Sequence, residues 1–403
     1  MTATPRLHTQ QDLRRANLAA VLYAVVDGGP ASRARVADRI GLTRTAVSTL
    51  VDDLLAAGLL AEAGLGHSGS PGRPGTVLAL SDQGPCGLGA AIGVDHLAVC
   101  AVDLRGRVRA RAAVDAVNRR SRPEPVLERL AGLIDDVTGQ LTEAGLRPAG
   151  LCVAVPGQVV RDGTRVVQAP NLGWRDVDLA GRLPSGGGPL KVDNEANLGA
   201  LAELWIGDPV CRTGDVLHVS AEIGIGSAIL TDGLLLRGNR GFAGELGHVP
   251  VRRRGHACGC GGRGCLEQYA GEEAVLRAIG LDPVRAVADH PGPGGRVGYL
   301  AGRAEAGDPD VLRALRGAGT DLGIALTAAA NLLDPHVLVL GGALADLAPW
   351  LLPAVEAELG RRMGTAPPLV VSRLGADGPL LGAAHAVTRA VLDDPLRTAQ
   401  PTG

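Results

Sequence analysis

Aromatic residues, lysine and long uncharged stretches are scarce in this 403-residue sequence. Aromatic side chains make up 2% of the chain, and Lys191 is its single lysine. Proteins that bind single-stranded nucleic acid stack the bases on aromatic side chains, so this class is disfavoured. The apolar run over residues 322–333 is bounded by Asp321 and Asp334, and it is shorter than the roughly 18 residues that a membrane helix needs. We therefore expect no membrane-spanning segment.

A strong net charge is also lacking, because 40 basic and 42 acidic residues give a net charge of −2. This balance excludes a globally basic protein, but it is compatible with a local basic patch against phosphates. The first fifteen residues contain no hydrophobic segment, so no secretion signal is predicted and we expect a soluble, cytoplasmic protein. With 46% hydrophobic residues, the chain can bury the cores of about two or three domains.

Residues 13–60 have the periodicity of three short helices followed by a ribbon. The first helix has a buried stripe at helical spacing: Leu18, Val21, Leu22 and Val25. Ser32 can cap a second helix that Gly41 ends, and after a turn of about three residues Thr43 can cap a third. The third helix buries a second stripe: Val47, Leu50, Val51 and Leu54. Residues 59–63 and 76–80 flank a loop rich in Gly, Ser and Pro, which predicts a two-stranded wing.

This order is that of a winged helix-turn-helix, whose third helix enters the major groove of DNA. Arg44 at the start of that helix can reach guanine or phosphate, and short polar residues follow it: Thr45, Ser48 and Thr49. Three arginines flank the turn as expected phosphate contacts: Arg33, Arg35 and Arg39. Arg73 lies in the tip of the wing, where a single cation fits a minor groove.

The alternative is an ordinary three-helix cap with a solvated polar face. Residues 1–80 contain eight arginines and six acidic residues, and this net charge of +2 is small for a DNA-binding domain. The order of cap, turn, exposed face and wing nevertheless favours DNA binding. The modest charge predicts weak binding by one copy, so that two copies are needed on an operator.

The rest of the chain alternates strand-like and helix-like segments, which predicts an α/β architecture. The strand-like segments are residues 88–94, 97–102, 150–155, 216–219, 223–230 and 337–340. Because residues 88–392 are too many for one compact sheet, we expect two lobes with a cleft between them.

A glycine-rich loop in the second half of the chain has the spacing of a metal site. Cys258, Cys260 and Cys265 lie within eight residues, and His248 precedes them by ten, with His256 as an alternative fourth ligand. Four such ligands would fill the coordination sphere of a structural zinc, whereas a catalytic zinc keeps one position open for water. A disulfide is disfavoured in the cytoplasm, and a redox pair would more usually be Cys-x-x-Cys.

Polar residues near this loop predict a site for a polyol. Glu245 and Glu267 bracket the metal ligands, and Asn194 and Glu195 lie where a strand end turns into a helix. Carboxylates and amides at strand ends commonly bind vicinal hydroxyls in α/β clefts. Any one of these residues taken alone could equally be a solvated surface residue or a helix cap.

Several motifs resemble the ROK family (repressor, open reading frame, kinase), and specifically its actinobacterial transcriptional regulators. The motifs are GRPG in the wing, APNLGW at 169–174, NEAN at 194–197, GFAGELGHVPV followed by CGCGGRGCLEQY, and VLGGAL near the end. The resemblance covers nearly the whole chain, and it implies a winged helix-turn-helix followed by a two-lobed actin/hexokinase-like domain.

The resemblance also implies two sites. One is a zinc ion on His248, Cys258, Cys260 and Cys265. The other is a sugar site formed by Gly157, Asn171, Asn194, Glu195, Glu245, His248 and Glu267. His248 would bind zinc through one ring nitrogen and offer the other to a sugar hydroxyl. The expected domains are the winged helix-turn-helix at 1–81, a linker at 82–87, a first lobe at 88–199 completed by a helix at 380–393, and a second lobe at 200–379.

The sequence departs from the family's kinases at the loops that bind ATP. Their Asp-x-Gly-Gly-Thr loop is replaced by AIGVD, which places Val94 and Asp95 against the phosphates. Their second phosphate loop, Gly-Thr-Gly-Ile-Gly, is replaced by EIGIG, which begins at Glu222. Carboxylates repel a triphosphate, so ATP use is not expected. The family's catalytic Asp is replaced by Glu195, which alters the geometry of proton transfer.

These observations predict a one-component transcriptional regulator, with a repressor favoured, that has no catalytic residues. It would bind double-stranded operator DNA as a homodimer or homotetramer, and a sugar or sugar phosphate would be its effector. Two alternatives remain at this point: an active ATP-dependent sugar kinase with a DNA-binding head, and a zinc hydrolase.

Overall fold

The computed structural model of the protein describes residues 9–65, 76–290 and 294–397. Arg73 and the predicted tip of the wing lie outside the described residues. Within the described ranges, no helix is long and apolar enough to cross a membrane.

The N-terminal domain packs three helices against a small antiparallel sheet. Its elements are α1 (Gln10–Gly28), β1 (Ala31–Ser32), α2 (Arg33–Ile40), α3 (Arg44–Ala56), β2 (Leu60–Leu65) and β3 (Thr76–Leu80). The predicted stripes of α1 and α3 are buried. Gly41 ends α2 in the left-handed conformation with φ 71°, and its N–H donates to the carbonyl of Ala37. Strand β1 was not predicted: two residues pair with β3 and make a three-stranded sheet in the order β1-β3-β2.

The first lobe contains a five-stranded mixed sheet and a smaller antiparallel one. Its elements are β4 (Pro85–Ile92), β5 (His96–Val102), β6 (Val108–Asp115), α4 (Pro123–Glu143), β7 (Arg147–Val155), β8 (Gln158–Val159), β9 (Arg165–Ala169), β10 (Trp174–Asp178) and β11 (Leu190–Asn194). The strand orders are β11-β7-β4-β5-β6 and β10-β9-β8. Strand β4 begins inside the predicted linker 82–87, because Pro85 and Cys86 pair with Arg147 and Pro148 of β7.

The second lobe contains another five-stranded sheet, in the order β14-β13-β12-β15-β16. The remaining elements are α5 (Glu195–Ile206), β12 (Val216–Ala221), β13 (Ile225–Thr231), β14 (Leu234–Leu235), α6 (Glu267–Ala270), α7 (Glu272–Ala278), α8 (Pro283–Asp289), α9 (Gly295–Glu305), α10 (Pro309–Leu333), β15 (Val337–Gly342), α11 (Ala343–Asp346), α12 (Ala348–Arg362), β16 (Leu369–Val371) and α13 (Gly378–Asp393). Helices α10 and α12 pack together over the apolar core of this lobe.

Helix α13 returns from the second lobe to the first sheet and also packs against α5. It lies very close to β4: a Cβ on Gly87 or Gly89 would lie 2.3 or 2.5 Å from backbone atoms of Ala384, so only glycine permits this approach. Its C-terminal residues Val391 and Leu392 belong to the hydrophobic cluster of the N-terminal domain. Helix α13 therefore contacts the first lobe, helix α5 and the N-terminal domain.

Candidate functional site

Four sulfur and nitrogen ligands converge in the loop region of residues 248–265. The ligand atoms of His248, Cys258, Cys260 and Cys265 all lie within 4.8 Å of one another. The Sγ atoms of Cys260 and Cys265 are 3.7 Å apart, and Cys258 Sγ is 3.7 Å from His248 Nδ1. His256 is not in this cluster; its backbone N–H donates to the Tyr269 hydroxyl and its ring packs on the Tyr269 ring. The cluster could hold one metal ion through these four residues.

His248 connects this cluster to the neighbouring carboxylates. Its Nδ1 is the nitrogen near Cys258 and lies 3.7 Å from Glu267 Oε1, while its Nε2 lies 3.7 Å from Glu245 Oε2. The two ring nitrogens thus face different partners. Glu267 also accepts from the Cys258 thiol at 2.9 Å, so it lies directly beside the metal ligands.

A partly open cavity lies between the two lobes next to Glu245, and the empty space around it, which includes open solvent, is about 390 Å³. It is lined by Gly157, Gln158, Val159, Asp193, Asn194, Asn197, Gly226, Ser227, Gly241, Ala243, Gly244 and Glu245. Three of the predicted sugar residues, Gly157, Asn194 and Glu245, therefore meet here. Glu195 lines a larger neighbouring cleft, and Asn171 lines neither space.

The side chain of Asn194 is largely engaged within the protein. Its Oδ1 accepts from the N–H groups of Ala196 and Asn197 and caps α5, and its Nδ2 donates to the Gly157 carbonyl at 2.9 Å. A Cβ on Gly157 would lie 2.4 Å from the Gln168 carbonyl oxygen, which explains the glycine at this position. These two predicted ligand residues shape the cavity through contacts with each other.

The sequence analysis did not identify three residues that shape this cavity. Gln158 Nε2 donates to Glu245 Oε1 across the lobes at 3.2 Å, and Arg237 forms a bidentate ion pair with Asp193 at 3.2 and 2.6 Å. Gln158 directly follows Gly157, a predicted residue of the sugar site, so its position next to that residue could have identified it. The partnership of Asp193 and Arg237 spans 44 residues and had no local signal.

The exposed start of α3 presents the predicted DNA-reading residues. Arg44, Thr45 and Thr49 are exposed and Ser48 is half-buried. Thr43 caps the helix by accepting from the N–H of Ala46. Arg44 makes no ion pair among the described residues, and the same holds for exposed Arg35.

Two other predicted phosphate contacts are engaged inside the domain. Arg33 pairs with Asp52 at 2.9 Å and with Glu62 at 3.3 Å, so acidic neighbours offset its charge. Arg39 donates to the carbonyls of Ala24, Gly28 and Gly29 at the end of α1, where a helix leaves carbonyls unpaired. The prediction overlooked these structural roles, because both depend on tertiary contacts.

The model of the ROK family matches residues 87–390, which is most of the chain. The chain belongs to the ROK family. A model of the MarR family matches residues 9–67. The xylose repressor of Bacillus subtilis (strain 168) is 29% identical over 393 residues, which span 95% of this chain and 98% of that protein. A glucokinase of Halalkalibacterium halodurans is 30% identical over 253 residues, 58% of this chain and 74% of that protein.

A crystal structure of a ROK family transcriptional regulator, a homologue of the E. coli Mlc protein, has the same fold. The TM-score is 0.79 at 24% identity, and the alignment covers 96% of this chain and all of the other. The predicted fold class, a winged helix-turn-helix followed by a two-lobed ROK domain, is thereby confirmed.

The larger cleft of this ROK chain contains the two loops that depart from the kinase pattern. It has about 880 Å³ of open space, and its lining includes Asp95, Glu195, Glu222, Glu272 and Arg296. Burial, reinforced by the nearby Glu222 carboxylate, raises the pKa of Glu195 well above its usual value. The lining of the cleft is thus rich in carboxyl groups, and two of them, Asp95 and Glu272, pair with Arg296.

Arg296 is fully engaged by two of these carboxylates. Its Nη1 lies 2.7 Å from Asp95 Oδ2, its Nε pairs with Glu272, and all three side chains are buried. Burial alone would raise the pKa of Asp95, but the hydrogen bond from His96 and the charge of Arg296 hold it at about 2. Asp95 is therefore a stable anion in the loop that binds phosphate in the family's kinases.

Proposed function

We propose that this chain is a sugar-responsive, DNA-binding transcriptional repressor whose kinase-like domain senses a sugar and does not catalyse. The observation that carries the proposal is α13, which packs against α5 at the cleft and also contributes Val391 and Leu392 to the core of the DNA-reading domain. Helix α13 therefore provides a direct route of contacts through which a change in lobe arrangement at the cleft can reach the N-terminal domain. The full-length similarity to a xylose repressor supports the same conclusion.

The DNA contacts that we propose are centred on the start of α3. Arg44, Thr45, Ser48 and Thr49 would face bases and phosphates, and Arg35 would contact a phosphate. Arg73 stays a prediction from the sequence. Arg33 would hold α2 against Asp52 and Glu62 and contribute little charge to the DNA.

The sugar residues of the proposal surround the smaller cavity and its rim. Gly157, Asn194 and Glu245 would form its walls, with Glu195, His248 and Glu267 beside it, and Asn171 stays a prediction from the sequence. The domain boundaries stay proposals as well, with the linker shortened by the start of β4 at Pro85.

We assign a structural zinc ion to His248 and the three cysteines. Tetrahedral zinc with Zn–S bonds of about 2.3 Å places two thiolates about 3.8 Å apart. The Cys260 to Cys265 distance of 3.7 Å fits this value, and three thiols with one imidazole are a donor set that zinc prefers. Because four protein ligands leave no position for water, this assignment argues against the zinc hydrolase alternative.

The kinase alternative is supported by the similarity to a glucokinase, but the cleft electrostatics argue against it. Asp95 and Glu222 stand where phosphates would bind, and the guanidinium of Arg296 is already paired with Asp95 and Glu272. Among the described residues, an anionic nucleotide would meet carboxylates, and the His96 and Arg296 side chains of the lining are already paired with Asp95. Incubation with ATP, magnesium and glucose or xylose should therefore release no ADP above the background of a Glu195→Gln variant.

The regulatory proposal is tested on an operator selected from random DNA with the full-length chain. Its affinity for that operator is measured with and without xylose and glucose. At least one sugar should shift the affinity about tenfold, which requires only about 1.4 kcal/mol of coupling. Glu245→Gln should lose the shift and keep operator binding, whereas Glu128→Gln, on the exposed face of α4, should keep both. A sugar-independent affinity would contradict the sensing role.

A homodimer or homotetramer, a cytoplasmic location and membership of the actinobacterial branch stay proposals. Two reading heads are needed because a single N-terminal domain has few free arginines. Sedimentation of the chain alone and on its operator would measure the number of copies.

A further inference from the structure

We infer that the effector of this chain is an unphosphorylated sugar, and that a sugar phosphate is rejected by charge. This inference rests on the proposed sensing function and narrows its ligand class. The smaller cavity contains two carboxylates, Asp193 and Glu245, and among the described residues no arginine or lysine lines it. A phosphate monoester carries close to two negative charges at neutral pH, so it would need a cation that this lining does not supply.

Among the described residues, the arginines near the two spaces either lie outside the lining of the smaller cavity or are ion-paired. Arg237 forms a bidentate ion pair with Asp193, so its charge offsets a carboxylate of the cavity and leaves no excess positive charge. Arg240, on the loop beside the cavity, packs over the ring of Phe242. In the adjoining cleft Arg296 is buried between Asp95 and Glu272. Among the described residues, Arg296 is the only arginine that lines either space, and it is already ion-paired.

The N-terminus of α5 also fails as a phosphate site. A helix start binds anions through its free backbone N–H groups. Here the N–H groups of Ala196 and Asn197 already donate to Asn194 Oδ1. The N–H of Asn194 itself donates to Asp193 Oδ1. Three of the backbone donors that could replace an arginine are therefore already occupied.

The same lining suits the hydroxyl groups of a neutral sugar. Glu245 and the Gln158 amide oxygen can accept from hydroxyls, while one ring nitrogen of His248 faces Glu245 at the rim. Carboxylates accept and cannot donate when ionised, and sugar hydroxyls supply the donors. The charge that excludes a phosphate is the same charge that orients a polyol.

The test is calorimetric titration of the full-length, zinc-loaded chain with a matched pair, glucose and glucose 6-phosphate, and with xylose. At low salt, glucose or xylose should bind at least about tenfold more tightly than glucose 6-phosphate, and added salt should narrow the gap by screening the repulsion. Glu245→Gln should also narrow the gap: it should bind glucose more weakly, in line with its expected loss of the sugar response, while its affinity for glucose 6-phosphate should rise because one repelling carboxylate is removed. Glu128→Gln, an exposed carboxylate on α4, serves as the control and should leave the gap unchanged.

The outcomes separate the inference from the function on which it rests. If glucose 6-phosphate binds as tightly as glucose, or more tightly, the inference is wrong, while the proposed sugar sensing is unaffected. A gap between the two ligands that is insensitive to salt and to Glu245→Gln also overturns it, since the discrimination would then be steric. If none of the three probes binds, both the inference and the proposed sensing function are contradicted.

Discussion

At the scale of single residues, the arginines of the N-terminal domain show how one residue type serves different purposes. Arg39 binds three carbonyls at the end of α1, Arg33 pairs with two acids, and Arg44 is exposed without an ion pair among the described residues. Their positions in the sequence are similar, since all three lie near the turn between α2 and α3. Among the described residues, Arg44 and Arg35 are exposed and form no ion pair, so their charges are not offset by an acidic neighbour.

Arg44→Ala should weaken operator binding by about 1–3 kcal/mol and leave the unfolding free energy nearly unchanged, because its guanidinium has no partner among the described residues. Filter binding or fluorescence anisotropy at two salt concentrations measures the loss. Arg39→Ala is the matched variant: it should lower the unfolding free energy by about 1–2 kcal/mol, because it leaves the α1 carbonyls unpaired. An Arg44→Ala chain that binds its operator normally would remove Arg44 from the interface.

His218 is a residue-scale feature of the sensor domain. Its side chain on β12 is 3% exposed, and its Nδ1 has no hydrogen-bond partner among the described residues. Burial lowers the pKa of His218 to about 4. The unfolded chain therefore binds a proton near pH 6.5 that the folded chain does not bind until about pH 4.

Stability should consequently fall as the pH drops from 6.5 toward 4, with His218 contributing a loss of roughly 2 kcal/mol by pH 5. The measurement is the difference in unfolding free energy between the parent chain and His218→Gln across this range, which cancels the opposing effect of the buried carboxylates. The variant should lose less stability on acidification. His336→Gln, at an exposed position, should follow the parent curve. Identical slopes for parent and His218→Gln would contradict the prediction.

At the scale of elements, the metal loop is attached to the second lobe by more than its ligands. Arg252 pairs with Asp321 on α10 at 3.1 and 2.7 Å and lies 4.4 Å over the ring of Tyr269. The Tyr269 hydroxyl in turn accepts from the backbone of His256. The loop that carries the metal ligands is thus joined to the helical core of the lobe.

Cys260→Ser should release the metal and lower the unfolding free energy by at least about 2 kcal/mol, because metal binding contributes to the folding energy of such loops. Metal content is read by mass spectrometry and stability by denaturant titration. A chelator should destabilise the parent chain and leave the Cys260→Ser chain unaffected. One zinc retained per variant chain would show that Cys260 is not required.

At the scale of the whole molecule, ion pairs join the two lobes across the cleft. Asp95 in the first lobe pairs with Arg296 on α9, Arg119 pairs with Glu273 on α7, and Asp193 pairs with Arg237. These three ion pairs therefore connect the lobes directly. Since α13 packs against α5 beside this cleft and against the N-terminal domain, it provides the contact route on which the proposed regulation depends.

Asp95→Asn should loosen this arrangement, because it removes a charge from the buried cluster and leaves Arg296 with Glu272 alone. We expect a loss of about 1–3 kcal/mol in unfolding free energy and a larger radius of gyration by small-angle scattering. The stability that Asp95 contributes in the parent chain should be present above about pH 4 and decline as the pH falls toward 2. Asp310→Asn, which removes an exposed acid on α10, should change neither quantity.

Much of the fold could be predicted because its signals are local. The helix stripes, the caps at Ser32 and Thr43 and the left-handed Gly41 lie where the periodicity placed them. The strand β1 was missed because two residues carry no periodic pattern and form only by pairing with β3. The predicted linker 82–87 overlaps the start of β4 at Pro85. The sequence did not indicate this overlap, because Pro85 and Cys86 pair with residues of β7 that lie about 60 positions away.

What the sequence by itself determined is the set of parts: three helices, two of them with predicted caps, a predicted wing, one His and three Cys within eighteen residues, and carboxylates in place of the phosphate loops. These features are local, and short-range sterics and ligand spacing decide them. What only the tertiary structure decided is which charges are free. Asp95 and Arg296 are 201 residues apart, and Asp193 and Arg237 are 44 apart, so their pairing arises only when the lobes meet and burial makes an unpaired charge costly.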